Sequence, residues 1–172
     1  MEYQLKINLL LDELTSCFRG TVLKDEPLKN HTYFKIGGPA GIFAVPEDTE
    51  DLKTVLKLIK KYETDYYIIG NGTNLLFSDE GYKGIIVKIG DKFNKVTKDG
   101  NKVTAGAGVL MSSLAKYLAK EGLAGFEFAS GIPGYLGGAI PINAGAYGGE
   151  MKDVITRVKC RDKDGNIHEF SN

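Results

Sequence analysis

Several features that would place this sequence quickly are missing, and each absence removes a class of function. No apolar run in the 172 residues approaches the ~18 that suggest a membrane-spanning helix. The N-terminus has no basic start followed by an apolar signal core. Lysine plus arginine and aspartate plus glutamate balance at 22 each, and no basic run interleaves with aromatics. Nucleic acid is therefore not the expected partner. Cysteine is scarce (Cys17 and Cys160), as is histidine (His31 and His168), and none shows metal-ligand spacing. They read as reduced thiols and as packing or surface imidazoles, so no metal is expected. No internal repeat or low-complexity tail is evident. The expectation is a soluble cytoplasmic protein of one or two small domains with no membrane association.

Glycine, by contrast, is concentrated. Ser130–Glu150, SGIPGYLGGAIPINAGAYGGE, holds seven glycines and two prolines without a Lys or Arg. A flexible linker would be rich in Ser and charge, whereas this segment carries Ile132, Leu136, Ile140, Ile142 and Tyr147. Glycine loses more freedom on folding than any other residue, so its density in apolar surroundings calls for a local reason. Two readings fit: backbone lying against a large flat ligand with an anionic portion, or a tight crossover packed between subdomains. Tyr147 would stack on such a ligand or pack on the protein. Glu127 and Glu150 bracket the segment and read as solvated or helix-capping.

The rest of the chain reads as mixed α and β. Leu10, Leu14 and Phe18 mark an amphipathic helix over Tyr3–Phe18. Lys24–Ala40 is a polar approach ending in a Gly-Gly-Pro stop, and Ile42–Val45 is a short strand. Pro46, Asp48 and Thr49 announce a helix with the stripe Leu52, Val55, Leu56, Ile59 and Tyr62. Tyr66–Ile69 is a strand, as is Ile85–Ile89, giving a small, partly parallel sheet. Asp91–Asn101 is turn-rich and marks a boundary between subdomains. Lys102–Ala105 reads as a strand, and Gly106 and Gly108 precede a helix closed by Gly122. Asp164-Gly165, between Val154–Cys160 and Ile167–Phe170, signals a hairpin.

A second glycine loop, Gly70-Asn71-Gly72-Thr73-Asn74, follows the Tyr66–Ile69 strand directly. Successive backbone N–H groups in such a turn can form a nest for phosphate oxygens. No lysine follows, which argues against a P-loop, and Leu75 stands where G-x-G-x-x-G needs its third glycine. Alone the loop is a weak signal and reads first as a plain turn. Paired with Ser130–Glu150, it suggests two loops clamping a dinucleotide's diphosphate from two subdomains. No histidine or cysteine adjoins either loop, so a covalent tether is not expected.

Three stretches carry a resemblance across nearly the whole chain: NHTYFKIGGPA at Asn30–Ala40, IIGNGTNLLFSDEG at Ile68–Gly81, and GLAGFEFASGIPGYLGGAIPINAGAYGGE at Gly122–Glu150. In order and spacing they resemble the UDP-N-acetylenolpyruvoylglucosamine reductases, flavoenzymes that make UDP-N-acetylmuramate for bacterial peptidoglycan. The resemblance implies an α+β fold: the two-subdomain FAD-binding domain of the p-cresol methylhydroxylase/vanillyl-alcohol oxidase type, here residues 1–92 and 93–172. It implies FAD held non-covalently, with NADPH as hydride donor and a UDP-sugar as substrate. Asn71, Gly72, Thr73, Asn74 and Leu75 would lie along the FAD diphosphate. Ile132, Pro133, Gly134, Tyr135, Gly137 and Gly138 would form a second wall, with Ala144, Gly145 and Ala146 near the flavin. The family's substrate domain and its catalytic arginine, serine and glutamate have no counterpart up to Asn172, so no catalytic residue is expected in this chain. It reads as an N-terminal portion of such an enzyme, inactive alone. A different substrate on the same fold, or a non-catalytic module, are the alternatives.

Overall fold

Local signals in the sequence place the helices. The structure, a computed structural model, describes residues 2–172. Helix α1 spans Glu2–Cys17. Strand β1 (Thr21–Pro27) follows, then β2 (Pro39–Val45) and helix α2 (Thr49–Lys61). Asp48 caps α2: its carboxylate accepts from the backbone N–H of Glu50 at 2.9 Å and of Asp51 at 3.0 Å, satisfying two of the donors a helix start leaves unpaired. Strands β3 (Tyr66–Ile69) and β4 (Tyr82–Lys88) complete a four-stranded sheet of order β1-β2-β4-β3. The β1–β2 pair is antiparallel, while β4 runs parallel to β2 and β3.

By its contacts the chain divides into two units. The first comprises the residues up to Ile89 together with Arg161–Ile167, and the second Gly90–Cys160 with His168–Asn172. In the first unit the period of two along a strand sorts side chains to opposite faces. Ile42, Ala44, Ile85 and Val87 face α1 and α2, meeting Leu10, Leu14, Val55 and Ile59. Phe43 and Ile86 face the other way, into a second cluster with Leu28, Ala40 and Ile69. No α-helix covers that face; Leu28 from a 3-10 turn, with Leu75 and Phe77 from the β3–β4 connection, packs on it. This long return, residues 70–81, exists because parallel neighbours cannot be joined by a tight hairpin.

In the second unit β5 (Val96–Asp99) and β6 (Lys102–Ala105) form a hairpin. Helix α3 (Met111–Lys120) follows, then short helices α4 (Leu136–Ala139) and α5 (Met151–Val154). Between these last two lies a small hairpin, β7 (Gly145–Ala146) with β8 (Gly149–Glu150). Strands β9 (Arg157–Arg161) and β10 (Ile167–Ser171) end the chain as a two-stranded sheet. Met111, Leu114, Phe126, Leu136 and Met151 form the core of the unit. The Gly122 cap is present: Gly122 has φ +71°, Leu123 N donates to Leu118 O at 2.9 Å and Gly122 N to Ala119 O at 3.1 Å. Those two bonds make a Schellman motif.

Two strands depart from the sequence reading. β1 overlaps the start of the expected polar approach at Lys24–Ala40, and β5 lies inside the expected turn-rich boundary at Asp91–Asn101. Neither has a clean apolar/polar alternation, because most of their residues remain exposed. Pairing with β2 and β6, rather than burial, makes them strands. β2 also begins earlier than Ile42, at Pro39, where a first strand position tolerates the missing N–H.

Candidate functional site

The first glycine segment leaves β3 at Gly70, and Gly72 adopts φ +67°. An added Cβ there would lie 1.9 Å from the His31 carbonyl oxygen, and the Gly72 carbonyl accepts from Tyr33 N at 2.9 Å. The chain's own packing therefore already demands glycine at this position. Around it Asn71 and Asn74 are exposed and Thr73 half-buried. Leu75 turns inward against the Phe43–Ile86 cluster. Two amide side chains and main chain thus face solvent here, and the leucine holds the loop down.

Under this loop His31 stacks on Phe43, with ring centroids 4.1 Å apart. Its Nε2 lies 3.0 Å from Glu26 Oε1, and its Nδ1 lies 3.4 Å from Lys88 Nζ. Burial pushes its pKa below the usual histidine value. The Glu26 bond opposes that shift, while Lys88 and Lys35 reinforce it. Both ring nitrogens are engaged, as expected of a packing imidazole.

In the second unit the predicted residues fall into two groups. Tyr135 is buried and its hydroxyl donates to Asp91 at 2.8 Å. Burial first, then that bond, push its pKa up to about 12. Gly134 (φ +134°) offers its carbonyl to Met111 N at 3.0 Å. Gly137 N donates to Ala107 O at 2.9 Å, and a Cβ on Gly137 would meet Ala107 Cβ at 2.7 Å. A Cβ on Gly145 would meet the Gly149 carbonyl at 2.7 Å across the β7–β8 pair. Ile132 and Ala144 pack against the core. All of these serve the fold. Pro133 and Gly138 are exposed and Ala146 is half-buried. Gly138, like Gly131 and Gly148, has no atom within 4 Å of where a Cβ would stand. Tyr147 is 94% exposed at φ +51°, an uncommon backbone for a bulky residue. With Gly148 at φ +84° it fills the two central positions of a tight hairpin turn.

Two features of these segments escaped sequence reasoning. In sequence the stretch 106–109 is a prelude to a helix, yet in the structure it lies between two other segments. Cβ atoms on Gly106 and Gly108 would stand 2.1 Å from the Phe93 and Gly90 carbonyls respectively, while Ala107 O and Val109 O accept from Gly137 N and Leu136 N. Glycines two apart after a strand were the available signal. The second feature is Asp91, the partner of Tyr135, which nothing in the sequence marks. A half-open cavity of about 190 Å³ lies beside it, lined also by Val96, Val109, Leu114 and Tyr117. This is below the roughly 300–1,000 Å³ of ordinary ligand pockets.

A dinucleotide with flat ring systems fits these residues in kind. It needs backbone without side chains, neutral donors for a diphosphate and few fixed cations. Taken unit by unit, Gly131 and Gly138 offer the first in the second unit, and Asn71 and Asn74 offer the second in the first unit. Among the described residues no cluster of His, Cys, Asp and Glu could hold a metal ion.

Comparison with known proteins agrees in kind. A family described as FAD binding domain matches residues 40–171. The UDP-N-acetylenolpyruvoylglucosamine reductase of Alkaliphilus oremlandii is 54% identical over 150 residues, covering 87% of this chain and 49% of that protein. The Clostridioides difficile enzyme of the same name is 52% identical over 148 residues, covering 86% and 49%. The solved Thermus caldophilus UDP-N-acetylenolpyruvylglucosamine reductase superposes with TM-score 0.71 at 35% identity, over 89% of this chain and 52% of that one. A cholesterol oxidase variant from Brevibacterium sterolicum, 13% identical, shares the fold alone (TM-score 0.68, over 89% and 33%). The chain spans about half the length of the curated relatives it matches.

Proposed function

Because the chain belongs to the FAD-binding-domain family, with a fold of the p-cresol methylhydroxylase/vanillyl-alcohol oxidase type, we propose that it is the FAD-holding part of a UDP-N-acetylenolpyruvoylglucosamine reductase. The observation that carries the reading is the 54% identity to one such enzyme over 87% of the chain. The exposed glycines that packing does not explain support it. In this reading Asn71, Gly72, Thr73 and Asn74 receive the diphosphate, with side-chain amides and main chain as donors. Leu75 and Tyr135 contribute backbone only, since their side chains are spent on the core and on Asp91. Gly138 presents backbone free of side-chain bulk and Pro133 an exposed apolar ring, and Ala144, Gly145 and Ala146 lie close to the flavin.

Bound FAD would supply reversible hydride acceptance. This chain's residues hold and orient it without a covalent bond and keep water off one face. NADPH as hydride donor, the enolpyruvyl UDP-sugar as substrate, peptidoglycan synthesis and a cytoplasmic location belong to the same proposal. So does the absence of turnover by this chain alone. Among the described residues no helix is long and apolar enough to cross a membrane.

Titrating the purified chain with FAD tests the reading. A saturable shift in flavin absorbance with a rise in Tm is expected. No flavin signal and no thermal shift would refute it. For the substrate, this sequence joined to the remaining half of a relative should turn over NADPH and UDP-N-acetylglucosamine enolpyruvate; binding FAD without that turnover would favour another substrate on the same fold.

A further inference from the structure

Beside the Gly72 loop, the first unit displays apolar side chains that its own core leaves outside. Tyr33 is 74% exposed, Phe34 57%, Ile36 45% and Leu76 67%. Three of them sit on one turn whose foot is fixed. Thr32 is buried and its hydroxyl donates to Ile36 O at 3.0 Å. Lys35 N donates to Thr32 O at 3.3 Å, and Tyr33 N to Gly72 O at 2.9 Å. Lys35 is held at φ +57°, a conformation that persists only where surrounding contacts over-determine it. In the β3–β4 connection Leu76 is left exposed while Leu75 and Phe77 on either side of it pack against the core. A rigid turn that keeps two aromatics in water marks a binding surface more than a packing accident.

We propose that Tyr33 and Phe34, flanked by Ile36 and Leu76, form the surface on which one of FAD's flat ring systems lies. The inference rests on the FAD reading above and extends it to residues outside both glycine segments. Continuity selects this occupant. The Tyr33 N–H is bonded to the same Gly72 whose loop receives the diphosphate, and a dinucleotide carries a ring at each end of that diphosphate. An aromatic side chain is suited to the partner, since stacked rings attract beyond the area they bury.

The chain contains no tryptophan, which gives a direct probe. In Tyr33→Trp, the single indole emission should be strongly quenched as FAD is added, with a midpoint equal to that of the flavin signal. In the double variant Tyr33→Ser/Phe34→Ser the dissociation constant for FAD should rise about tenfold, with Tm unchanged because both side chains are exposed. Leu5→Ser, which removes an exposed leucine from α1, should bind FAD as the unaltered chain does. Parallel titrations with FMN and with ADP identify the ring: the half-molecule whose affinity falls in the double variant is the one that stacks. Unquenched indole emission in a variant that still binds FAD would overturn the proposal, as would FAD affinity within twofold of normal in the double variant. If the unaltered chain binds no FAD, the functional reading itself has failed and this surface falls with it.

Discussion

Gly72 and Gly138 belong to the two predicted binding segments, yet substituting alanine at each should give opposite results. At Gly72 the new Cβ would stand 1.9 Å from the His31 carbonyl oxygen, on a backbone at φ +67°. A left-handed L-residue costs about 1–2 kcal/mol, and displacing the loop endangers the 2.9 Å bond from Tyr33 N to Gly72 O, another ~0.5–1.5 kcal/mol. Gly72→Ala should therefore lose roughly 2–3 kcal/mol, or about 5–10 °C of Tm for a chain of this size, with or without FAD. Gly138 lies in α4 and is not among the residues with positive φ. Nothing stands within 4 Å of its would-be Cβ. Alanine there should gain ~0.5–1 kcal/mol from reduced chain entropy and raise Tm slightly. If a flat ligand rests against that open face, the same methyl should weaken FAD binding by about tenfold or more, a change of ~1.4 kcal/mol. Far-UV circular dichroism melts without FAD, followed by flavin titration, separate the two. A Gly72→Ala chain that melts normally would refute the packing argument. A Gly138→Ala chain with unchanged FAD affinity would refute the assignment of that face to the cofactor.

Three further outcomes follow from individual contacts. Removing the α2 cap with Asp48→Ala should cost ~1 kcal/mol and lower Tm by about 2–4 °C, because the Glu50 and Asp51 N–H groups lose their acceptor. Tyr135 has its pKa pushed up to about 12, so the unfolded chain ionises first. Stability from this group is complete below about pH 10 and declines as pH rises through 12; Tyr135→Phe should flatten that decline in alkaline denaturation curves, and an unchanged slope would count against the Asp91 bond. His31 has its pKa lowered, chiefly by burial, so the unfolded chain protonates first. Its contribution is present above about pH 6.5 and is lost as pH falls through the lowered folded value. His31→Gln should reduce the pH dependence of urea midpoints in that window, and an identical pH profile would contradict the half-buried, stacked geometry of the imidazole.

What could be read from the sequence was what neighbouring residues decide. The α2 start follows from Asp48 and its next three residues, and the α3 stop from Gly122. Both use hydrogen bonds spanning fewer than six positions. β1 and β5 were not legible, because pairing with a partner strand makes them strands and their own polar sequences do not. The glycines divide along the same line. That Gly72 and Gly137 are glycines was plain, but the cause was not: the His31 carbonyl and Ala107 each lie about 30 or more positions away in sequence. Gly138 looks identical to Gly137 on paper, and only the empty space beside it distinguishes the two. A glycine-rich motif therefore mixes positions closed by the chain's own backbone with positions open to a ligand. Loss of FAD binding on substituting a closed position would report a damaged fold, so open positions such as Gly138 are where substitution tests the cofactor.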